Sequence, residues 1–251
     1  MLTLQNIHLT LGQGTKLERL ILNNLNLTVQ TGEFIVIVGS NGTGKSTMFN
    51  IISGYLTPDQ GNILLDNYDI TKMPTNKRAA LISKVMQDPK AGTMANMTIF
   101  ENMALSFMRG KSRWFKPYDT AKQRQLFKEK LKSLNMDLEN RLDELVGNLS
   151  GGQRQALNLI MAIIADSKVL LLDEITAALD PKTAEKVMQI AAKIVSEEKR
   201  TTIMITHNMA HAVHYGDRTL QLADGHIIKE FNAKEKLALT PIALAAEQAG
   251  F

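Results

Sequence analysis

Cysteine is absent from the 251 residues of the chain, which excludes a disulfide framework and a metal site built on thiolates. No apolar run approaches the ~20 residues that a membrane-spanning helix needs, and the longest, residues 34–38 and 169–172, have the length of buried strands. The first ten residues, MLTLQNIHLT, lack the basic stretch, apolar stretch and cleavage site of a secretory signal. The net charge of +4 is too small to argue for nucleic acid by itself. We therefore expect a soluble protein of a reducing compartment.

The apolar residues that are present follow the pattern of an α/β fold. They make up 44% of the chain, which is enough for one large domain or a domain with an inserted lobe. Residues 34–38, 169–172 and 202–205 have the largely apolar composition of strands that are buried in a parallel sheet. A helical run, residues 182–198, separates the last two strands. Strand, helix and strand in this order predict a parallel α/β core.

Two other parts of the chain differ from this core. Residues 1–32 alternate short apolar and polar runs around a glycine-rich turn at 12–14, which predicts antiparallel strands. Residues 98–148 are rich in Leu, Met, Lys and Glu and poor in strand formers, so we interpret them as a helical insert. The segment 235–251 also has a helical composition, and nothing in it suggests chemistry.

A phosphate-binding loop is the strongest local signal. Residues 39–46, GSNGTGKS, fit the P-loop pattern and lie between a buried strand and a helix start. Glycines let the backbone direct successive N–H groups at phosphate oxygens, and the helix N-terminus adds partial positive charge. Lys45 is suited to the β- and γ-phosphates of a nucleoside triphosphate, and the Ser46 hydroxyl is suited to Mg²⁺. The candidate binding residues are Gly39, Ser40, Asn41, Gly42, Thr43, Gly44, Lys45, Ser46 and Thr47.

Two carboxylates and a histidine follow the predicted central strands. Asp173 and Glu174 come directly after one strand, and His207 follows the next. Ligands bind at this edge of open α/β sheets. We therefore expect Asp173 to bind Mg²⁺, directly or through water. We expect Glu174 to polarise a water and His207 to contact a γ-phosphate oxygen. The alternative for the acid pair is a solvated turn. The near-helical spacing of His207, His211 and His214 does not predict a metal site, because no further Cys or His cluster completes it.

A second helix N-terminus is built from residues that weaken helices. The stretch LSGGQRQAL places Ser150, a good N-cap residue, before Gly151 and Gly152. Each glycine costs a helix about 1 kcal/mol relative to alanine, but a first turn without side chains lets the backbone approach an anion closely. The P-loop, the acid pair and His207 already supply the usual set of contacts for one nucleotide. A second donor site therefore makes sense if it faces the nucleotide of another copy.

In this order the motifs resemble those of the ATP-binding subunits of ABC transporters, over nearly the whole chain. The matching features are the P-loop GSNGTGKST, Gln87 in VMQDP as the Q-loop, LSGGQ as the signature, LLLDE as Walker B, AALD ending at Asp180 as the D-loop and His207 as the switch histidine. The resemblance implies a RecA-like P-loop NTPase core with an N-terminal antiparallel β subdomain and an inserted α-helical subdomain. Within a single domain of residues 1–251, we assign the core to 1–87 and 151–234, the helical subdomain to 88–150 and the tail to 235–251.

The resemblance also implies a head-to-tail dimer that closes on two ATP molecules with Mg²⁺. Gln87 would contact Mg²⁺ or the attacking water, Glu174 would be the general base and His207 the γ-phosphate sensor. Asp180 would lie across the dimer seam. The second subunit would be another copy of the chain or a paralogous ATPase. Each ATP would be held by the P-loop of one subunit and by four residues of the other: Ser150, Gly151, Gly152 and Gln153.

Two positions depart from the family pattern. Leu11 stands where relatives usually carry an aromatic residue that stacks on adenine. Leucine offers van der Waals contact without stacking, so we expect weaker discrimination between ATP and GTP. Ile175 stands where a proline usually follows the catalytic glutamate, and we expect little effect on the chemistry there.

The free energy of ATP hydrolysis must be delivered to a partner protein. The resemblance implies separate membrane permease subunits, with the chain bound peripherally at the cytoplasmic face of the inner or cell membrane, and a solute-binding protein if the system is an importer. The helical lobe would supply a groove for the permease's coupling helix. The basic and aromatic run RGKSRWFK, residues 109–116, would either lie near lipid headgroups or form a solvated loop.

Cargo and direction of transport depend on weaker similarity. The stretches GQGTKLERLILNNLNL, QDPKAGTMANMTIFENMAL and HNMAHAVHYGDR look like those of ATPases from bacterial importers of amino-acid-type solutes. One alternative is an export or lipoprotein-release system. Another is a soluble ABC ATPase that acts on nucleic acid, but such relatives carry coiled-coil inserts, cysteine zinc modules or two cassettes. The sequence has none of these features, so we expect no nucleic acid.

Overall fold

A computed structural model describes residues 1–110 and 120–249. The strands of this part of the chain are β1 (Leu2–Leu11), β2 (Arg19–Val29), β3 (Phe34–Val38), β4 (Gln60–Leu65), β5 (Tyr68–Asp69), β6 (Ile82–Val85), β7 (Val169–Asp173), β8 (Thr201–Ile205), β9 (Arg218–Ala223) and β10 (His226–Phe231). The helices are α1 (Lys45–Ser53), α2 (Thr75–Arg78), α3 (Ile99–Phe107), α4 (Thr120–Lys132), α5 (Gly151–Ile164), α6 (Pro181–Glu198), α7 (Met209–His214), α8 (Ala233–Ala238) and α9 (Pro241–Ala249). Short 3₁₀ turns occupy Leu138–Asn140 and Val146–Asn148.

The central sheet has the strand order β10-β9-β3-β8-β7-β6. All neighbours from β9 to β6 pair in parallel, and β10 pairs antiparallel with β9 at the edge. Strands β3, β7 and β8 are buried at every position, which explains their apolar composition. The predicted parallel core is confirmed. It brings the carboxyl ends of β3, β7 and β8 together at one edge of the sheet.

Alternate residues of the central strands face two different hydrophobic cores. Ile35 and Ile37 of β3 pack into a core with α1 and the second sheet, whereas Val36 and Val38 pack into the core of the large helices. The second sheet, with order β2-β1-β4-β5, is antiparallel throughout, as the alternating pattern of residues 1–32 predicts. A sheet covered on both faces buries its strands completely, and this burial holds the loops at its carboxyl edge in place.

The predicted helical insert contains α3, α4 and the two 3₁₀ turns. Helix α3 begins with a capping box in which Thr98 and Glu101 satisfy each other's backbone N–H groups. Met103 of α3 and Phe127 of α4 are fully buried in the same core as the large helices. Of the basic run 109–116, residues 111–116 lie outside the described residues. The predicted helical tail contains α8 and α9, and α8 begins two residues before 235.

Arg78 stabilises the helix that follows the P-loop. It is 1% exposed, and its guanidinium donates to the carbonyls of Ile51 and Ile52 at the end of α1, at 2.5 and 3.0 Å. It also donates to the carbonyls of Met73 and Thr71. The bond to Ile52 satisfies a carbonyl in the last turn of α1, where a helix leaves carbonyls without partners of its own. The Ile51 carbonyl also accepts from Gly54 N–H.

We expect Arg78→Met to lower the free energy of unfolding by at least about 3 kcal/mol, because buried carbonyls lose charged donors. The midpoint of thermal unfolding should fall by roughly 6–12 °C for a chain of this size. The control is Arg124→Met, because Arg124 pairs with Asp143 on the surface. A surface pair contributes about 1 kcal/mol or less. Equal destabilisation by the two substitutions would contradict the prediction.

Candidate active site

The P-loop joins the end of β3 to the start of α1. Gly44 has a φ of 100°, in the left-handed region, and a Cβ there would lie 2.9 Å from Leu22 of β2. A Cβ on Gly39 would lie 2.4 Å from the Leu222 carbonyl oxygen of β9. Both positions therefore require glycine for close packing against neighbouring strands. No side chain caps α1, so its N-terminus is available to an anion in the loop.

Lys45 is buried and lies across the same loop. Its Nζ donates to the carbonyl oxygens of Gly39 and Ser40, at 2.7 Å in each case. Burial lowers the pKa of Lys45, and the nearby carboxylates of Glu174 and Asp173 act in the opposite direction. The ammonium is thus held by two carbonyls of the loop and lies in the electrostatic field of both acids.

Asp173, at the end of β7, is 8% exposed and forms an ion pair that the motifs do not reveal. Its Oδ2 lies 2.9 Å from the Nζ of Lys84 on β6. The same ammonium lies 3.4 Å from Asn50 Oδ1 and 5.7 Å from the ring centroid of Phe49. The sequence signal for this contact is weak, because Lys84 is one lysine in an apolar strand, LISKVM.

Glu174 brings together three residues that lie far apart in the sequence. Gln87 Nε2 donates to Glu174 Oε2 at 3.2 Å, and His207 Nε2 lies 3.0 Å from Glu174 Oε1. Glu174 also has a φ of 46°, which is uncommon for a residue with a Cβ. Such backbone strain is typical of functional sites. The geometry therefore places these three predicted site residues in one cluster next to Asp173, the last residue of β7.

The signature residues form the capped start of α5. Gln153 N–H donates to Ser150 Oγ at 3.3 Å, and Ser150 N–H donates to Gln153 Oε1 at 3.1 Å, which is a capping box. Ser150 and Gly151 are exposed. No hydrogen bond or ion pair within residues 1–110 and 120–249 connects this cap to the P-loop or to Glu174. The capped start of α5 and the P-loop are thus separate features of the described chain.

The two signature glycines have different surroundings. A Cβ on Gly151 would lie 3.6 Å from Leu179, an ordinary contact, so space alone does not require glycine there. A Cβ on Gly152 would lie 2.1 Å from Thr183 of α6. Gly152 is therefore required by the packing of α5 against α6, a reason that the sequence does not supply. Asp180 caps α6 by accepting from Thr183 N–H at 3.1 Å, and the hydrogen bonds from Thr183 lower the pKa of Asp180.

Helix α5 also holds the loop that contains Gln87. Three of its polar side chains donate to this loop, and sequence reasoning missed them: Arg154 to the Thr93 hydroxyl at 2.5 Å, Gln155 to the Met86 carbonyl at 3.1 Å and Asn158 to the Pro89 carbonyl at 2.8 Å. The helix that begins at the signature is thus connected to the Q-loop by three side chains within its first eight residues.

Leu11 ends β1 and is 39% exposed, opposite Arg19 at the start of β2. Arg19 lines a cavity of about 230 Å³ together with P-loop residues Ser40 to Thr43. The sequence prediction for this region named Leu11 alone. The geometry adds Arg19 as a cation next to the loop.

The remaining histidines do not form a metal site. His211 Nε2 lies 3.7 Å from the Glu185 carboxylate, and His8 and His226 lie in β1 and β10. Within the described part of the chain, no group of three His, Cys, Asp or Glu side chains could hold a metal ion. No helix in residues 1–110 and 120–249 is long and apolar enough to cross a membrane.

Comparison with known proteins identifies the family. Residues 22–177 match the family described as "ABC transporter". A tyrosine transport ATP-binding protein from Clostridioides difficile (strain R20291) is 47% identical over 220 residues, which cover 88% of this chain and 87% of the relative. The thiamine import ATP-binding protein ThiQ from Escherichia coli (strain K12) is 30% identical over 213 residues, which cover 85% of this chain and 87% of the relative.

Solved structures agree with this match. The ATP-binding cassette MJ0796, in a dimeric post-hydrolysis state bound to ADP and Pi, superposes with a TM-score of 0.80 at 30% identity and covers 93% of this chain and 99% of that one. The cbiO1 protein from Clostridium perfringens, part of the ABC transporter complex cbiONQ, gives 0.79 at 28% identity and covers 98% and 93%. The predicted α/β P-loop NTPase fold is confirmed. The chain belongs to the ABC transporter family and is one of its ATP-binding, ATP-hydrolysing cassettes.

Proposed function

We propose that the chain hydrolyses ATP at a site shared between two subunits and uses it to drive import of an amino-acid-type solute through separate permeases. The observation that carries the proposal is the separation of the two phosphate-binding elements. The P-loop with Lys45 and the capped start of α5 at Ser150 are both complete, yet no contact connects them within the described residues. A second subunit, placed head to tail, would bring the two elements to the same nucleotide.

The residues next to the P-loop have the chemistry for Mg²⁺. This ion takes oxygen ligands, keeps several waters and is held by one or two carboxylates plus substrate phosphates. Asp173 offers a carboxylate, Ser46 an exposed hydroxyl and Gln87 an amide oxygen, because its amide nitrogen is the group that contacts Glu174. The absence of a three-residue cage from the described residues fits an ion that arrives with the nucleotide. Bound there, Mg²⁺ would neutralise charge on the β- and γ-phosphates.

Glu174 is the proposed general base. Its carboxylate would accept a proton from the water that attacks the γ-phosphorus, while the bond from that phosphorus to the ADP oxygen breaks. Both carboxylate oxygens are occupied, one by Gln87 and one by His207. Each oxygen has two lone pairs, so the water can donate to Glu174 beside either partner. We propose that His207 then turns to a γ-phosphate oxygen and that Gln87 orients the water or the metal ion.

The start of α5 is proposed to close over the nucleotide of the other subunit. Ser150 and Gly151 are exposed and their helix N-terminus is free of acidic side chains, which suits an anion. Asp180, at the start of α6 beside this helix, is proposed to lie at the seam. The dimer of MJ0796 with ADP and Pi supports this arrangement. Both elements lie on this chain, so a homodimer is sufficient.

We expect Ser150→Arg to abolish the ATP-induced dimer while the monomer's affinity for ATP changes by less than about twofold. The arginine adds bulk and charge at the seam, but it lies away from the subunit's own P-loop. Ser150→Ala is the comparison without added bulk or charge: it removes the cap, worth about 1 kcal/mol, and the hydroxyl that is proposed to reach the other subunit's nucleotide. Size-exclusion chromatography with ATP and binding of a fluorescent nucleotide separate the two effects. An equal loss of monomer binding would contradict the shared site.

The helical lobe is the proposed docking surface for the permeases. We propose residues 88–150 as this subdomain, with a core of 1–87 and 151–234 and a tail of 235–251. Three large apolar side chains are exposed on the lobe: Met94, Leu105 and Leu145. Relatives named for tyrosine transport and thiamine import, and cbiO1 within the cbiONQ complex, support a role beside membrane subunits of an importer. The location that follows is the cytoplasmic face of the membrane.

Co-expression with permeases from neighbouring genes tests this role. We expect the chain to fractionate with membranes, with ATP turnover that rises when the cognate solute-binding protein is added. Leu105→Asp should release the chain from the membrane fraction, whereas Leu237→Asp, on the 90%-exposed Leu237 of α8, should not. Recovery of the chain with bound nucleic acid and no membrane association would contradict the proposal. Absence of a solute-binding protein from the same system would favour export.

A further inference from the structure

Lys84 is a partly buried cation that the proposed reaction does not use. It lies on β6, one strand away from Asp173 across the β6–β7 pair, and its side chain is 11% exposed. We propose that Lys84 is a built-in counter-cation of Asp173 that competes with Mg²⁺ for this carboxylate. The inference depends on the proposed role of Asp173 at the metal site. On this inference, Lys84 raises the Mg²⁺ concentration that is needed for nucleotide binding.

Three contacts hold the Lys84 ammonium in one place. Its Nζ lies 2.9 Å from Asp173 Oδ2 and 3.4 Å from Asn50 Oδ1, and it faces the ring of Phe49 at 5.7 Å. Asn50 and Phe49 belong to α1, the helix that follows the P-loop. The ammonium thus bridges the P-loop helix and the end of β7. A loosely held surface lysine would not have a carboxylate, an amide oxygen and an aromatic face around it.

Because Asp173 is mostly buried, its negative charge depends on the nearby ammonium for stabilisation. The Asp173 side chain is 12% exposed, and an unpaired carboxylate in such a place is costly to the folded state. The other nearby ammonium, on Lys45, is engaged by the carbonyls of Gly39 and Ser40. Among the described residues, Lys84 is therefore the cation in direct contact with Asp173. It keeps the metal site electrically balanced before a nucleotide arrives.

A divalent ion at Asp173 would meet this ammonium at close range. Two cations that share one carboxylate repel each other, and the low effective dielectric of a mostly buried site strengthens the repulsion. Removing the ammonium should therefore have two effects of opposite sign. The metal-free protein should lose stability, because Asp173 becomes unpaired, and affinity for Mg²⁺ should rise. A residue that only positions Asp173 for the metal would lower Mg²⁺ affinity when it is removed.

The test compares Lys84→Met with Lys84→Arg in the full chain. Methionine keeps much of the side-chain volume without the charge, and arginine keeps the charge. Lys72→Met, at an exposed lysine of the β5–α2 connection, is the control for a change in net charge. Binding of a fluorescent, non-hydrolysable ATP analogue is titrated with Mg²⁺. Thermal unfolding is measured in EDTA and again with Mg²⁺ and the analogue.

For Lys84→Met we expect the half-saturating Mg²⁺ concentration to fall about tenfold, an effect of the size that Coulomb repulsion between close cations allows. Its unfolding midpoint in EDTA should fall by roughly 4 °C or more, and Mg²⁺ with the analogue should remove most of this difference. Lys84→Arg and Lys72→Met should resemble the parent protein. If Lys84→Met does not fold, Lys84→Gln replaces it with the same expectations.

An unchanged or higher Mg²⁺ requirement in the charge-removed variant would overturn the inference, even if its stability falls. The proposed function has a separate mode of failure. If binding of the analogue to the parent protein did not respond to Mg²⁺ at all, the metal site at Asp173 itself would be wrong. A normal Mg²⁺ response in the parent together with no effect of Lys84→Met would refute the competition alone.

Discussion

Glu174→Gln is expected to lower ATP turnover at least about 100-fold, because removal of a general base typically costs 10²–10⁴-fold. ATP binding should persist, since the P-loop and Lys45 are unchanged. Glutamine keeps the shape of Glu174, but it has one acceptor oxygen in place of two. It can thus still accept from Gln87 or from His207, whereas neither contact restores a base for water. Phosphate release under saturating ATP and Mg²⁺ measures the loss.

The same variant should accumulate as an ATP-bound dimer on a sizing column, because hydrolysis no longer removes the γ-phosphate that joins the two subunits. A matched control is Glu185→Gln, which changes another carboxylate of the neighbouring cavity that is lined by His207 and His211. Glu185 contacts Tyr215 and His211 rather than the cluster around Glu174. Normal turnover in Glu174→Gln would remove this residue from the mechanism. A monomeric variant with bound ATP would contradict the shared site.

Lys45→Ala is expected to weaken ATP binding about 100-fold, since a hydrogen bond to a charged group contributes roughly 1.5–3 kcal/mol and this ammonium reaches two phosphates. In the described structure, Lys45 contacts the carbonyls of Gly39 and Ser40. The β- and γ-phosphates would take the place of these carbonyls as its acceptors. Binding of a fluorescent ATP analogue, measured at fixed Mg²⁺, gives the affinity directly.

The control for Lys45→Ala is Lys16→Ala, at an exposed lysine of the turn between β1 and β2. Both substitutions remove one positive charge, but only one removes it from inside the P-loop. Thermal unfolding of the nucleotide-free variants should show that both fold. Affinity within about twofold of the parent in Lys45→Ala would refute the phosphate site, whatever the turnover.

Sequence reasoning succeeded where local chemistry determines the outcome. The strands at 34–38 and 169–172 are buried on both faces, so their composition alone identifies them. Ser150 was predicted as an N-cap, and it accepts from the N–H of Gln153, three positions further on. The reciprocal bond from Gln153, which completes the capping box, was not predicted. Gln87, Glu174 and His207 are far apart in sequence. The family motifs assigned them to one site. In the structure, Gln87 and His207 each contact the Glu174 carboxylate, at 3.2 and 3.0 Å.

Most of the features that sequence reasoning missed depend on contacts between distant elements. Lys84 becomes notable only when β6 and β7 are paired in register, which brings it to Asp173. Gly152 has a packing reason only when α6 places Thr183 beside it. The β4–β5 hairpin was also not predicted, although its turn at Asp66 and Asn67 is local in sequence. The contacts of Lys84 and Gly152, by contrast, have no signal within a single stretch of sequence.

Helix α5 has a mechanical consequence for the proposed dimer. Its fourteen residues span about 21 Å, and the cap that is proposed to meet the other subunit's nucleotide lies at one end. Within the first eight residues, Arg154, Gln155 and Asn158 bind the loop around Gln87. A tilt of α5 would therefore displace the cap and the loop together. In the proposed dimer, this helix would couple the two ATP molecules, and we expect a substitution along its buried face to affect both sites.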